Sequence, residues 1–189
     1  MYLFFDTETT GLPRRWKAPV TDLDNWPRMV QIAWINYDKD GTETGKESFI
    51  IKPEGFTIPE ESTRIHGIST ERAIREGEEL LTVLQKFKDD MHVAETLVAH
   101  NMSFDEMIVG AEFLRERMAS DISSIKKICT MEGTKEFCGL EGQYGLKWPR
   151  LSELHQILFG IDFTEAHNAE NDIRATAKCF WELKKRGVL

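Results

Sequence analysis

Asp6 and Glu8 stand two residues apart in the stretch FFDTETTGL, residues 4–12, straight after an apolar run. On a strand, positions i and i+2 share a face, so the two carboxylates would lie about 6 to 7 Å apart along it. Carboxylate oxygens are hard ligands that suit Mg2+ or Mn2+. Two further acids occupy comparable places. Asp105 follows an apolar run in AHNMSFDEMIV, and Asp172 lies in HNAENDIRAT. Each falls in the first turn of an expected helix, where the positive end of the dipole favours a carboxylate. His167 precedes Asp172 by five residues. On one continuous helix the two side chains would diverge by about 140°, so His167 is expected on the loop before the helix. Any one of these residues also fits an ordinary surface or helix-start position. Together they describe two cations clamped by acids, with a neutral imidazole as base, which is the equipment for in-line hydrolysis at phosphorus.

The elements that must hold these residues are legible in outline. Tyr2–Asp6 forms a strand, and a second runs from about Met29 to Tyr37, with both faces apolar. Asp40-Gly41 makes a turn, and Ser48–Ile51 is a third strand, stopped by Pro53. Short turns between strands argue for an antiparallel meander. Pro59 opens a short helix ending near Gly67, and Ser69 or Thr70 opens another segment. Residues Glu78–Met91 carry Leu80, Leu81, Leu84 and Phe87 at helical spacing. Leu97–His100 is a short strand, and Ser103 is expected to cap a helix with Met107, Ile108, Ala111 and Leu114 on one face. Lys127–Thr130 is a further strand. Leu151–Leu158 and Ala169–Lys185 are helices, the second capped by Asn168, with Gly160 and Gly187 as stop signals. The outcome is an α/β domain, a mixed sheet flanked by helices. Residues 13–28, with three prolines and two tryptophans, are expected to be a long ordered loop beside the first acidic pair.

Composition narrows the class. At 189 residues with 41% apolar content and no internal repeat, one domain spanning 1–189 with a full core is expected. The net charge of -8 gives no global basic field for nucleic acid, so any such partner must meet a local basic rim. The candidates are Arg14, Arg15 and Lys17; Lys126 and Lys127; Lys147 and Arg150; and Lys184–Arg186. Cys129, Cys138 and Cys179 are odd in number and form no C-x-x-C pair, which argues against a disulfide framework or zinc site and for a reducing cytoplasm. The first apolar run is broken by Asp6, so no signal peptide is expected, and no stretch reaches the roughly 18 apolar residues of a membrane span.

With these residues in place, the chain resembles the DnaQ-like, DEDDh group of 3′-5′ exonucleases, which includes the proofreading epsilon subunit of bacterial DNA polymerase III. FDTETTGL matches the first motif, AHNMSFD the second and HNAEND the third, H-x-A-x-x-D; IHGIS at 65–69 and LSEL at 151–154 fall in the expected order. The resemblance covers about residues 1–186. It implies an RNase H-like fold, two Mg2+ or Mn2+ ions held by Asp6, Glu8, Asp105 and Asp172, and His167 as general base. It further implies a 3′-terminal nucleotide held by Thr9, Gly11 and Leu12, with Leu12 as an apolar wedge. His66, His100, Asn101 and Phe104 would line the same pocket.

Asn168 stands four before Asp172, where the related tyrosine-bearing group would carry its base, and Thr9 replaces the Met usual in oligoribonuclease-like members. The first disfavours the tyrosine-bearing group, and the second leans toward a DNA exonuclease, active on single-stranded or frayed 3′ ends in proofreading or repair. The alternatives are an exoribonuclease or a nucleic-acid-binding, polymerase-accessory module. Two departures from the family stand out. The 13–28 loop is longer than usual, and the chain ends just past its last helix, without the linker and tail that bind the proofreading subunit to its polymerase. A free-standing or loosely associated enzyme is therefore expected, with a DNA polymerase as a possible partner.

Overall fold

A computed structural model describes residues 1–161 and 168–189. Its central sheet has five strands in the order β3-β2-β1-β4-β5. These are β1 (Tyr2–Thr9), β2 (Met29–Tyr37), β3 (Glu43–Ile50), β4 (Thr96–Ala99) and β5 (Lys126–Cys129). The first three form an antiparallel meander, and β4 and β5 then add in parallel beside β1. The helices are α1 (Glu60–His66), α2 (Thr70–Glu76), α3 (Leu80–Val93), α4 (Met102–Arg115), α5 (Lys135–Cys138), α6 (Leu151–Phe159) and α7 (Ala169–Lys185). A small hairpin, β6 (Glu141–Gly142) with β7 (Gly145–Leu146), lies before α6. The mixed α/β sheet flanked by helices is the one expected from the sequence.

Side-chain alternation on β1 divides the core. Leu3 and Phe5 point to one face with Ile32, Trp34 and Phe87, under α3 and α4. Phe4 points to the other, against Ala177 and Phe180 of α7. Ala33 and Ile35 of β2 meet Ala169 and Ile173 there. Side chains at even positions of β1 share a face, so the row that begins with Tyr2 and Phe4 continues into Asp6 and Glu8 beneath the start of α7.

Several boundaries differ from expectation for physical reasons. Strand β3 begins at Glu43 rather than Ser48, because an edge strand is held by its ladder to β2 and needs no apolar alternation. Strand β1 runs on to Thr9, with a register shift between Glu8 and Thr9; such irregularities re-aim a chain beside a site. The cap of α4 is Asn101, not Ser103, with φ 81°; Asn tolerates the left-handed region better than most residues. On α3, Leu81 is exposed while Val83 joins Leu80, Leu84 and Phe87 in the core. On α4, Leu114 is exposed, and Glu112 lies buried among the core positions.

The 13–28 loop is ordered by specific bonds. Arg15 and Asn25 exchange two hydrogen bonds, and Trp26 donates its indole N–H to the Pro19 carbonyl. Arg115 reaches the Leu23 and Trp26 carbonyls. The fully buried Glu112 carboxylate joins the loop to α4 by accepting from Arg28 Nε at 3.0 Å and Met29 N–H at 2.9 Å, and it pairs with Arg115. Removing one partner of a buried ion pair typically costs about 3–5 kcal/mol. Glu112→Ala should lie toward the lower end of that range in urea denaturation, because Arg28 keeps some exposure. A loss below about 1 kcal/mol would show that Glu112 does not anchor the loop.

Candidate active site

Three acids meet where β1 passes under α7. One carboxylate oxygen from each of Asp6, Glu8 and Asp172 lies within 4.8 Å of the other two. Asp6 and Glu8 come from one strand face, as their spacing predicts. Asp172 comes from the first turn of α7, whose Asn168 cap accepts from Glu170 N–H at 3.0 Å.

Asp105 sits beside this trio rather than within it. It is buried, and its Oδ1 accepts from both the Thr7 N–H at 3.0 Å and the Thr7 hydroxyl at 2.7 Å. Pairing of β4 with β1 stops at Phe4, so at Thr7 the carboxylate stands in for the missing strand. That anchors the N-terminal turn of α4 to β1 and brings a fourth charge close to the other three.

The crowding shows in the proton affinities. Asp6 and Glu8 keep some exposed surface, yet protein atoms surround them densely enough that burial is the largest cause of their shifts, as it is for Asp105. Asp6 is held well above the usual carboxylate range by burial, then by the charges of Asp105, Asp172 and Glu8. Glu8 is pushed up to about 8 by burial and by Asp172 and Asp105. Asp105 rises to about 7 through burial, against the lowering effect of its Thr7 hydrogen bonds. Oxygen donors this close fit a hard divalent ion.

A cleft of about 760 Å³ opens above these acids, with Asp6 and Asp172 in its wall. Leu12, His100 and Asn101 line it as well. Leu12 is 71% exposed, which excludes a core role. It follows Gly11 at φ 146°, a conformation that side-chain-bearing residues rarely adopt, and the Thr9 hydroxyl braces this turn by donating to the Gly11 carbonyl at 2.7 Å. His66 is buried and accepts from the Ile68 N–H through Nδ1. Burial lowers its pKa, partly offset by a hydrogen bond with the Thr9 backbone. Phe104 is half-buried against the Trp16 ring, 5.9 Å between centroids. Thr9, Gly11, His66 and Phe104 thus adjoin the cleft's neighbours without lining it, and His167 lies outside the described residues.

His100 lines the cleft and also braces it. Its Nε2 lies 3.1 Å from the Pro149 carbonyl and its Nδ1 2.9 Å from the Thr130 hydroxyl. A carbonyl only accepts, so Nε2 carries the proton. Burial pushes the pKa down to about 4, so the ring stays neutral. The cleft residues that sequence reasoning did not assign to it are Met131, Trp148, Pro149, Arg150, Leu151 and Ser152. Only the Lys147–Arg150 basic pair and the LSEL segment drew attention there, and neither has a spacing that reveals a cleft wall.

The expected basic rim is thinner than its residue count. Arg15, Lys127, Lys147 and Arg186 are paired with Asp22, Glu106, Glu153 and Glu182. Lys184 lies over the aromatic rings of Tyr2 and Trp181.

Comparison with known proteins agrees with this architecture. The family model described as exonuclease, RNase T type, matches residues 3–180. The chain is 28% identical over 195 residues to a PolC-type DNA polymerase III of Staphylococcus haemolyticus, covering 99% of this chain and 12% of that protein. It is 27% identical over 196 residues to the Staphylococcus aureus counterpart, again 12% of its length. Among solved structures, E. coli exonuclease I bound to a dT13 oligonucleotide superposes with a TM-score of 0.78 at 23% identity, over 98% of this chain and 41% of that one. A zinc-bound form of its single-stranded DNA complex gives 0.77 at 24%, over 98% and 40%. The RNase H-like fold expected from the motifs is therefore the observed one.

The raised carboxylates make stability depend on pH in a defined sense. Glu8 binds its proton more tightly folded, at about 8, than at its ordinary 4.5. Its contribution is therefore full below about 4.5 and is lost as pH rises through about 8. Without metal, the melting temperature should fall across that window, and saturating Mg2+ should flatten the fall. Asp6→Asn should raise the metal-free melting temperature at pH 8. A metal-free profile that rises between pH 5 and 8 would contradict the crowded-acid description. With the fold, the acid cluster and the match over residues 3–180 in agreement, this chain belongs to the exonuclease family.

Proposed function

We propose that residues 1–189 form one exonuclease domain that hydrolyses phosphodiester bonds from the 3′ end of single-stranded or frayed nucleic acid, DNA by preference, releasing nucleoside 5′-monophosphates. The observation that carries this reading is the carboxylate trio of Asp6, Glu8 and Asp172 within 4.8 Å, of which Asp6 and Asp172 line an open cleft. With Asp105 as a fourth acid, these residues would hold two Mg2+ or Mn2+ ions. Such ions, when bound, supply activation of a water and neutralisation of the leaving oxygen. The chain's own part is to crowd the acids so that the cations are wanted, to seat the terminal nucleotide along Thr9–Leu12, and to leave Leu12 free to wedge against the last base.

His167 is assigned as general base, on its position five residues before Asp172 and just ahead of the Asn168 cap. A neutral imidazole there would take the proton of the attacking water. The preference for DNA is supported by Thr9 and by the single-stranded DNA in the exonuclease I structures. The PolC-type polymerases among the relatives support proofreading or repair in the cytoplasm, with attachment to a polymerase as one arrangement. Among the described residues no helix is long and apolar enough to cross a membrane, in keeping with a partner in solution.

A 5′-labelled DNA oligonucleotide with Mg2+, run beside its RNA twin, tests the activity. A ladder shortening from the 3′ end on DNA is expected, with Asp6→Asn abolishing it; binding without shortening would favour an accessory module, and faster loss of the RNA an exoribonuclease.

His167→Ala should lose about 10²- to 10⁴-fold in single-turnover rate while metal affinity stays nearly unchanged. The wild-type rate should rise with pH through the histidine's own titration, because only the neutral ring accepts a proton. A mutant with full rate and the same pH limb would remove His167 from the mechanism.

A further inference from the structure

Of the five tryptophans, Trp26 and Trp34 are buried and Trp181 packs among Tyr2, Phe4, Tyr37 and Phe180. Trp148 is 58% exposed and lines the cleft that holds Asp6 and Asp172. Exposed single apolar residues are common, so exposure alone says little. The corner that carries this one is unusually well held. Pro149 is buried, and its carbonyl is bound by His100 Nε2. On either side, Lys147 pairs with Glu153 and the Arg150 N–H donates to the same carboxylate at 2.8 Å. Three anchors fix residues 147–150 while the indole between them stays in solvent.

We propose that Trp148 is a stacking platform for a base of the single-stranded substrate, with Arg150 beside it for the strand's backbone. This rests on the reading of the cleft as an exonuclease site. A single strand is the occupant that fits. The platform is continuous with the acid cluster, and an indole offers a flat surface to any base, as a sequence-tolerant nuclease requires. A base inside a duplex is stacked on both faces and has none free for it. The rigid corner presents the ring without ordering it at the moment of binding. The cleft wall that carries Trp148 thereby selects an unpaired end, complementing the wedge assigned to Leu12.

The test is binding of a 5′-fluorescein oligodeoxythymidine by anisotropy to residues 1–189 carrying Asp6→Asn, in Ca2+ so that the strand stays intact. Stacking on an aromatic side chain corresponds to about 5- to 150-fold in affinity per base. Adding Trp148→Ala should weaken binding within that range, and Trp148→Phe should restore most of it. An abasic site stepped through the last few 3′ positions should erase the Trp148→Ala penalty at one position, because the base it acts on is then absent. A purely structural role would leave the penalty equal on every abasic strand, and that result, or unchanged binding by Trp148→Ala, would overturn the proposal. Melting of Trp148→Ala like its parent is expected, since the ring is exposed. The two readings fail separately. A wild-type protein that shortens DNA while Trp148→Ala binds normally sinks the platform alone. One that binds through Trp148 without shortening any strand sinks the nuclease assignment instead.

Discussion

Packing forces like charges together at the floor of the cleft. Phe4 of β1 is sealed against Phe180, and Ala33 and Ile35 of β2 against Ala169 and Ile173. Each of those contacts seats α7, and each also brings Asp172 toward Asp6 and Glu8. Two unit charges about 4 Å apart repel by about 4 kcal/mol at an effective dielectric of 20. Burial of one large apolar side chain contributes about 1.5–3 kcal/mol. A few core contacts are thus enough to hold the acids in place, and part of the repulsion is relieved by protonation. The free protein is left with proton-binding carboxylates near neutrality, in a geometry that divalent cations would relax.

Everything else around the cleft serves to keep that floor open and shaped. Asp105 replaces a missing strand at Thr7 and ties the start of α4 to β1. Glu112, one turn before the end of α4, clasps the base of the proline-rich loop through Arg28 and Arg115. That loop then holds Trp16 against Phe104, at the helix start that carries Asp105. In the same cleft His100 joins the end of β4 to the Trp148–Arg150 corner through Pro149. The braces are hydrogen bonds and ion pairs to backbone or buried groups. They position side chains without covering them.

Much of this was legible in residue order alone. The Asp6-x-Glu8 spacing shares a strand face whatever surrounds it, and the Asn168 cap fixes Asp172 in a first turn. Helix α7 runs from Ala169 to Lys185, as its periodicity and flanking signals require. Local chemistry fails where tertiary contacts decide. His100 carries no mark of its bonds to Pro149 and Thr130, which the fold brings from elsewhere in the chain. The Asn101 cap depended on a left-handed residue that competes with a good Ser103 signal. The burial of Glu112 rests on Arg115, one turn on along α4, and on Arg28, which only the fold brings to it. The cleft role of Trp148 is invisible in LKWPR, because exposure beside an acid cluster depends on the whole fold.

The acid cluster holds protons that bound divalent cations would displace. Calorimetric titration with Mn2+ at pH 7, repeated in buffers of different ionisation enthalpy, measures this directly. Binding should release protons, because Glu8, and Asp105 in part, titrate near neutrality in the free protein. The release should shrink as pH rises above about 8 and should be reduced in Asp6→Asn. Mn2+ binding at pH 7 with no net proton release, or with the same release in Asp6→Asn, would contradict the account.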